Sequence, residues 1–396
     1  MEWLDLPMPP KGSTVAVGMS GGVDSTLVAL LLKEHGCQVI GITMSTWDKA
    51  FSLPPSKDGI RSSCYGPDEQ IDINQCKEFC KTQNIPHHVI NVQKVYRQQV
   101  LEYFKTEYRS GRTPNPCVRC NPTVKFGALL TEAINHGINF DYFCTGHYAK
   151  LVRPKNDLRQ LYFGTEKIKN LNNDSQEIRP VMISAATDIT KDQTYFLCRL
   201  SSEVLEKVRF PLANFTKKQV FQMAQDRNLK AASRGESQDF IPDIYLDILF
   251  GDKPSVPGDI VDLSGKKLGK HRGIEHYTIG QRRGLGVSVG KPIYVHSIDA
   301  VENKVILSEE KDLFCKELIA DDWVWSGGYA PEEPFNAFVK IRLASKPAEV
   351  RIAPIKDGSY KITFMDSQRA VAPGQAAVVY LENTIMGGGI ISKGTE

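Results

Sequence analysis

Between residues 14 and 150 the chain alternates short apolar runs with amphipathic stretches. Thr14–Gly18, Gln38–Met44, His88–Val92 and Asp141–Thr145 read as strands. Asp24–Glu34, Ile71–Gln83 and Val95–Ser110 read as helices, the first stopped by Gly36 and the second by Asn84-Ile85-Pro86. Strands that alternate with helices predict a parallel α/β sheet covered on both faces, with ligands at the carboxyl ends of its strands. Residues 154–179 are a polar interruption, read as a long loop or hairpin insertion. Two helical patterns follow between Phe210 and Ile248, broken at Ala231–Ser237. Beyond Pro254 the helical signal fades into short strands such as Ala337–Leu343, Ala348–Ile355, Ser359–Phe364 and Ala376–Leu381, which predict a small C-terminal β-barrel or sandwich.

Composition narrows this only a little. At 396 residues there is room for two or three domains. Lys and Arg total 49 against 46 for Asp and Glu, so any nucleic-acid surface must come from local clustering. Its densest basic stretch is Lys266, Lys267, Lys270, His271 and Arg272, followed by Arg282 and Arg283. Such a surface positions RNA without reading its sequence. Nine cysteines, odd in number and without a signal-peptide pattern ahead of them, argue for free thiols and a cytoplasmic protein with no membrane partner.

Two segments carry chemistry. In the first, the strand Val15–Gly18 runs into Met19-Ser20-Gly21-Gly22-Val23-Asp24-Ser25 and straight into a helix. Gly21 and Gly22 let the backbone approach a ligand, and the amides with the helix N-terminus point at an anion. Ser20 and Ser25 add hydroxyls, and Asp24 suits Mg²⁺ beside a pyrophosphate. The segment is neither a Walker A loop nor G-x-G-x-x-G; it resembles the PP-loop, SGGxDS, of the ATP pyrophosphatases, which adenylate a carbonyl oxygen. In the second, Gly111-Arg112-Thr113-Pro114-Asn115-Pro116-Cys117-Val118-Arg119-Cys120-Asn121 sets a Cys-x-x-Cys behind two prolines. That spacing can close a disulfide, supply two metal ligands or present one nucleophile, and Arg112, Arg119 and Lys125 would favour thiolates.

Taken together, GRTPNPCxxCN, a downstream KFG and the PP-loop resemble the tRNA-specific 2-thiouridylases of the MnmA family. Thr145–Ala149, Lys191–Leu197, Tyr277–Gly286, Pro373–Gln375 and Gly387–Ile391 agree, in order along the chain. The resemblance implies a PP-loop domain (1–207), a small central tRNA-binding domain (208–292) and a C-terminal β-barrel (293–396). It implies ATP held by Gly18, Met19, Ser20, Gly21, Gly22, Val23, Asp24, Ser25, Met44 and Gly146. The target base would meet Asn115, Pro116 and Cys117, and His147, Lys191, Asp192, Gln193, Arg342, Leu343 and Gln375 would touch tRNA. Cys120 takes the nucleophile's place. The expected reaction is 2-thiolation of the wobble uridine, position 34, by a monomer supplied with sulfide or by a persulfide carrier.

The chain departs from the commonest family pattern, Asp-x-x-Cys with a later Gly-Ile-Cys-Phe-Ile. Here the first motif is Cys117-x-x-Cys120, and the later segment, Glu236-Ser237-Gln238-Asp239-Phe240-Ile241-Pro242, has no cysteine. Asp239 stands in its place when aligned on Phe-Ile; aligned on Glu-Ser-Gln-Asp, two residues are deleted instead. A persulfide on a late cysteine cannot form, whereas a [4Fe-4S] cluster on Cys117, Cys120 and Asp239 keeps one iron open. A persulfide–disulfide pair made by Cys117 and Cys120 is the alternative, and Asp239 could equally cap a helix. A zinc site, a different PP-loop ligase or amidotransferase, and a non-catalytic RNA-binding protein fit the residues less well. Cys76 and Cys80, four apart on a helix, read as core; Cys64 lies in a polar loop as an accessory thiol; Cys37, Cys144, Cys198 and Cys315 read as buried.

Overall fold

The computed structural model describes residues 2–54, 64–163, 177–233, 241 and 245–395. Among them the strands form three sheets. The first is parallel and runs β4-β3-β2-β5-β8, from β2 (Thr14–Gly18), β3 (Gln38–Ser45), β4 (His87–Asn91), β5 (Tyr142–Cys144) and β8 (Val208–Arg209). Val15, Ala16 and Val17 in β2 are wholly buried because both faces of the sheet are covered. Alternation sends Ala16, Ile42 and Phe143 into one core and Val15, Val17, Val39 and Cys144 into the other. Helices α1 (Val23–His35) and α2 (Glu69–Thr82) bury Leu27, Val28, Cys76 and Cys80 in the second core, so the cysteine pair is packing, as expected. Cys37, Cys144 and Cys198 are likewise buried, while Cys315 is only half-buried.

The expected long helix at 95–110 is interrupted by a π turn at Arg97–Leu101 between Gln93–Tyr96 and Glu102–Arg109. The flanks of the polar interruption pair as antiparallel strands β6 (Lys150–Pro154) and β7 (Met182–Ser184), with a short helix at Arg159–Phe163; residues 164–176 lie outside the described ones. β6 also pairs with β1 (Trp3–Asp5), and β7 with the last strand of the chain.

That last strand, β18 (Thr384–Thr395), belongs to the C-terminal barrel. β13 (Phe314–Trp325), β14 (Phe335–Lys340), β15 (Ala348–Pro354), β16 (Tyr360–Arg369) and β17 (Ala376–Leu381) follow the order β18-β13-β16-β15-β14-β17. β17 then pairs back onto β18 and closes it. The glycines of β18 make room for neighbours: a Cβ on Gly388 would stand 2.6 Å from the Cys198 sulfur, and one on Gly389 2.4 Å from the Trp323 ring. A smaller sheet, β10-β9-β12-β11, lies between, from β9 (Gly258–Asp262), β10 (Lys267–His271), β11 (Tyr294–Asp299) and β12 (Lys304–Ser308). The fold is thus the expected α/β PP-loop domain, small middle domain and closed β-barrel. No helix among the described residues is long and apolar enough to cross a membrane.

Candidate active site

The phosphate loop leaves the carboxyl end of β2. Gly21 has φ 76°, a conformation only glycine adopts without strain, and Gly22 is the extended N-cap of α1. The hydroxyls of Ser20 and Ser25 lie 3.3 Å apart, and Ser25 Oγ accepts from the Ser20 amide at 3.2 Å. Thr26 donates to the Gly22 carbonyl at 2.8 Å, which ties the turn to the helix. Gly146, two residues beyond β5, packs on this turn: a Cβ there would come within 2.8 Å of the Asp24 Cβ and 3.1 Å of the Ser25 amide. Met44 lies near the end of β3, so the residues expected to hold ATP gather at one edge of the sheet.

Asp24 is not a free metal ligand. Lys217 Nζ donates to both of its oxygens, at 2.9 and 2.8 Å, and the Tyr148 hydroxyl donates to Oδ1 at 2.9 Å. Lys217 arrives from the helix Lys217–Asp226, whose first turn is fixed by a capping box of Thr216 and Gln219. It puts a largely buried cation beside the phosphate loop, where developing negative charge would be stabilised. Among the described residues Oδ2 takes only Lys217, so a lone pair there would suit a hydrated Mg²⁺.

The cysteine turn is a short helix, Pro116–Cys120, started by Asn115, whose side chain accepts from the Val118 amide at 3.2 Å. A π turn over Asn121–Ala128 follows directly. Cys117 is half-buried and Cys120 buried. The two cysteines share one turn, but the expected thiolate environment is absent. Burial pushes both thiols up to about 12, against a weaker opposing pull from Lys125. Arg112 is taken by Glu107 at 2.7 Å, and Arg119 by Gln99 at 2.8 Å with its guanidinium over the Tyr103 ring. Cys64 stands close enough to both thiols to raise each of them. Asp239 lies outside the described residues.

His147, next to Gly146, packs its imidazole between Phe126 and Phe210, with Nδ1 2.7 Å from the Thr145 hydroxyl. Burial first, and then Lys125, hold it well below the ordinary histidine range, so it is neutral. The other residues expected on tRNA are largely engaged within the protein. Gln193 accepts from the Tyr148 amide at 2.9 Å, and Asp192 accepts from Thr194. Gln375 donates to the Thr113 carbonyl at 2.9 Å, and the Thr113 amide donates to Pro373 at 2.7 Å, so a barrel loop holds the cysteine turn. Arg342 donates to the carbonyls of Arg369 and Ala370, while Leu343 is exposed and Lys191 ends a short 3₁₀ turn. In the basic stretch, His271 is buried and bonded to Asn303, whereas Lys270, Arg272, Arg282 and Arg283 are exposed.

Residues 13–242 match the protein family described as tRNA methyl transferase HUP domain, 247–309 its PRC-barrel domain, and 315–391 an aminomethyltransferase beta-barrel domain. The tRNA-specific 2-thiouridylase MnmA of Endomicrobium trichonymphae is 40% identical over 379 residues, 95% of this chain and 98% of that protein. The chain belongs to the MnmA family. MnmA proteins of Acetivibrio thermocellus and Chloroflexus aggregans are each 39% identical, over 95% and 96% of this chain and 98% and 99% of theirs. An MnmA-family chain is a tRNA sulfurtransferase of an ATP-using PP-loop family, with tRNA as its substrate.

Lys217 and Tyr148 are the site residues that sequence reasoning missed. Tyr148 lay inside the Thr145–Ala149 segment already matched to the family, but its aim at Asp24 needed the fold. Lys217 stands 193 positions from Asp24 in a surface-looking Thr-Lys-Lys-Gln run, and no local pattern marks it.

Proposed function

We propose that this enzyme thiolates C2 of the wobble uridine, position 34, of tRNA by adenylating the C2 oxygen and replacing it with sulfur. The observation that carries the reading is the pair Gly146–His147. Gly146 packs its backbone on the phosphate loop, and His147 shares Lys125 with the two cysteines, so adjacent residues join both halves of the chemistry.

In this reading ATP lies along Gly18–Ser25 with Met44 and Gly146 beside it, and Asp24 would help hold a Mg²⁺ that offsets the charge of the phosphates. The uracil C2 oxygen attacks the α-phosphorus, forming one P–O bond as the bond to pyrophosphate breaks. Loop amides and Lys217 stabilise the charge that gathers there. A sulfur nucleophile then adds to C2, and AMP departs with the former oxygen. Asn115, Pro116 and Cys117 face the extruded base, since single-stranded anticodon nucleotides can unstack into a pocket. His147, Lys191, Asp192, Gln193, Arg342, Leu343 and Gln375 build the surface on which the anticodon arm rests.

The donor set bears on how sulfur is held. Two thiols on one buried turn suit an iron–sulfur cluster, because metal binding displaces protons that burial otherwise retains. No three His, Cys, Asp or Glu among the described residues lie close enough to share a single metal ion. A four-iron cluster takes each thiolate on a different iron and spreads its ligands wider. Cys117 and Cys120 would hold such a [4Fe-4S] cluster, with Asp239 nominated by sequence as third ligand. When bound it supplies an open iron for a sulfide or for sulfur from a persulfide carrier. A relay in which Cys120 carries the persulfide and Cys117 closes a disulfide uses the same turn, and it too needs both thiols deprotonated against their burial.

Purified enzyme with ATP, Mg²⁺, sulfide and a tRNA bearing U34 should form AMP and 2-thiouridine in equal amounts after anaerobic iron loading. AMP without thiolated base would overturn the reading.

A further inference from the structure

Tyr148 and Lys217, which hold Asp24, are themselves held by one short stretch, Asp188–Gln193. Tyr148, whose hydroxyl donates to Asp24 Oδ1 at 2.9 Å, is locked to Gln193 in both directions. Its amide donates to Gln193 Oε1 at 2.9 Å, and the Gln193 amide donates to the Tyr148 carbonyl at 3.0 Å. Lys217, whose ammonium donates to both Asp24 oxygens, meets the same stretch at its backbone. There its amide donates to Asp188 Oδ2 at 2.8 Å. That contact sets a carboxylate on the first turn of the Lys217–Asp226 helix, where orphan amides and the helix dipole favour it. Asp188 Oδ1 meanwhile accepts from the Thr190 amide at 3.1 Å and from its hydroxyl at 2.6 Å, so the 3₁₀ turn Ile189–Lys191 is built on the same side chain. The Lys217 ammonium also stands 5.6 Å from the centre of the Tyr148 ring, so the two partners of Asp24 pack on each other. The inner side of the turn is thus bonded towards Asp24 by two routes. Its outer side is open: Ile189 at the tip is 77% exposed, and Lys191 and Gln193 are half-buried.

We infer that the Asp188–Gln193 turn couples the two substrates, with Tyr148 as a positioning residue: tRNA seated on the turn sets how Tyr148 and Lys217 hold Asp24, and thereby how tightly the phosphate loop holds ATP. The inference rests on the reading that ATP lies along Gly18–Ser25 and that Lys191, Asp192 and Gln193 meet the anticodon arm. A displaced turn carries the Tyr148 backbone and the start of the Lys217 helix with it, and hydrogen bonds weaken steeply as their geometry worsens. With its bonds to Asp24 made, the Lys217 charge is spent on that carboxylate. Loosening the pair releases the ammonium to the triphosphate, so tRNA tightens ATP. Such coupling is reciprocal, and ATP tightens tRNA by the same factor. The triphosphate is then held firmly only when a base is present to be adenylated.

The test is equilibrium binding of α,β-methylene-ATP, whose α–β link cannot break, to the full-length enzyme in Mg²⁺ buffer, with and without saturating tRNA that bears U34. Wild type should bind the analogue about tenfold more tightly with tRNA present, within the usual range for coupled sites. Tyr148→Phe, which keeps the ring and loses the hydroxyl, and Asp188→Ala should each cut that ratio to about threefold, and the double variant to about one. Asp188→Asn, which retains an acceptor for the Lys217 amide, should keep more of the ratio than alanine does. Gln222→Ala, exposed on the same helix as Lys217, should match wild type. A merely structural role would lower the melting temperature or both separate affinities and leave the ratio alone. Circular dichroism shows which variants have folded, and the two single variants decide if the double variant has not. A wild-type ratio near one, or the full ratio kept in the folded variants, overturns the inference. Wild type that binds the analogue but no tRNA, or tRNA but no analogue, overturns the underlying reading of the two sites instead.

Discussion

The phosphate loop and the cysteine turn sit in one domain but are assembled in opposite ways. The phosphate loop is a single strand, turn and helix, and nearly all its internal bonds join residues within six positions of one another. The cysteine turn is short of local support. Its geometry depends on Gln375 and Pro373 from the barrel, on Phe196 accepting from Asn121 at 2.9 Å, and on Tyr96, which shares a buried core with Val118 and Cys120. A loop that binds a common cofactor can be self-contained. A site that must admit a tRNA base and handle sulfur lies where several segments meet.

The sharpest break between the two halves is Cys120→Ala. Thiolation should fall by more than about 10³-fold, as when a nucleophile or ligand is removed, while ATP binding measured by titration stays as in wild type. Lys217→Met attacks the other half: AMP formation should drop about 10²-fold, the scale of losing one preorganised charge partner. Single-turnover assays with labelled ATP read it, and an unchanged rate would remove Lys217 from the charge argument. Gln375→Ala tests whether the barrel holds the cysteine turn. It loses the bond to Thr113, and the expected costs are about 1 kcal/mol in denaturant unfolding and a larger loss in thiolation than in ATP binding.

Titration separates the halves again. The Cys117 and Cys120 thiols are pushed up to about 12, above the ordinary thiol near 8.5, so both are protonated at neutral pH. Burying the neutral form contributes stability that is whole below the ordinary value and is lost as pH climbs towards the folded one. Iron-free enzyme should therefore be alkylated slowly by iodoacetamide, at a rate still climbing beyond about pH 10. A plateau near pH 8 would mean that the thiols are not desolvated. The smallest effect belongs to the middle domain. Arg283→Ala should leave catalysis on saturating tRNA intact and lower the salt dependence of binding by about one phosphate contact.

Much of this was legible beforehand. The strands Thr14–Gly18 and Ala376–Leu381 were read with the bounds they have, because turn residues bracket continuous apolar runs. Local motifs also showed which residues gather on the phosphate loop. The pairing of β1, β6 and β7 with the barrel was not legible, since strands of three to five residues say nothing about distant edges. Asp24 was read as a magnesium ligand, and the structure added the lysine that neutralises it. Arg112 and Arg119 were read as thiolate partners, but each turns away to a nearer partner.

The amino-acid sequence by itself determined the family, the α/β domain with its phosphate loop, and the spacing of Cys117 and Cys120. These rest on contacts between residues close in the chain, where geometry follows from local backbone preference. The tertiary structure alone decided which charges meet and which thiols are dry: Lys217 on Asp24, Gln375 on Thr113, and Cys120 buried in one core with Tyr96 and Val118. Those contacts span up to 262 positions, and burial, which governs the acidity of a thiol, is a property of the packed molecule and not of any segment.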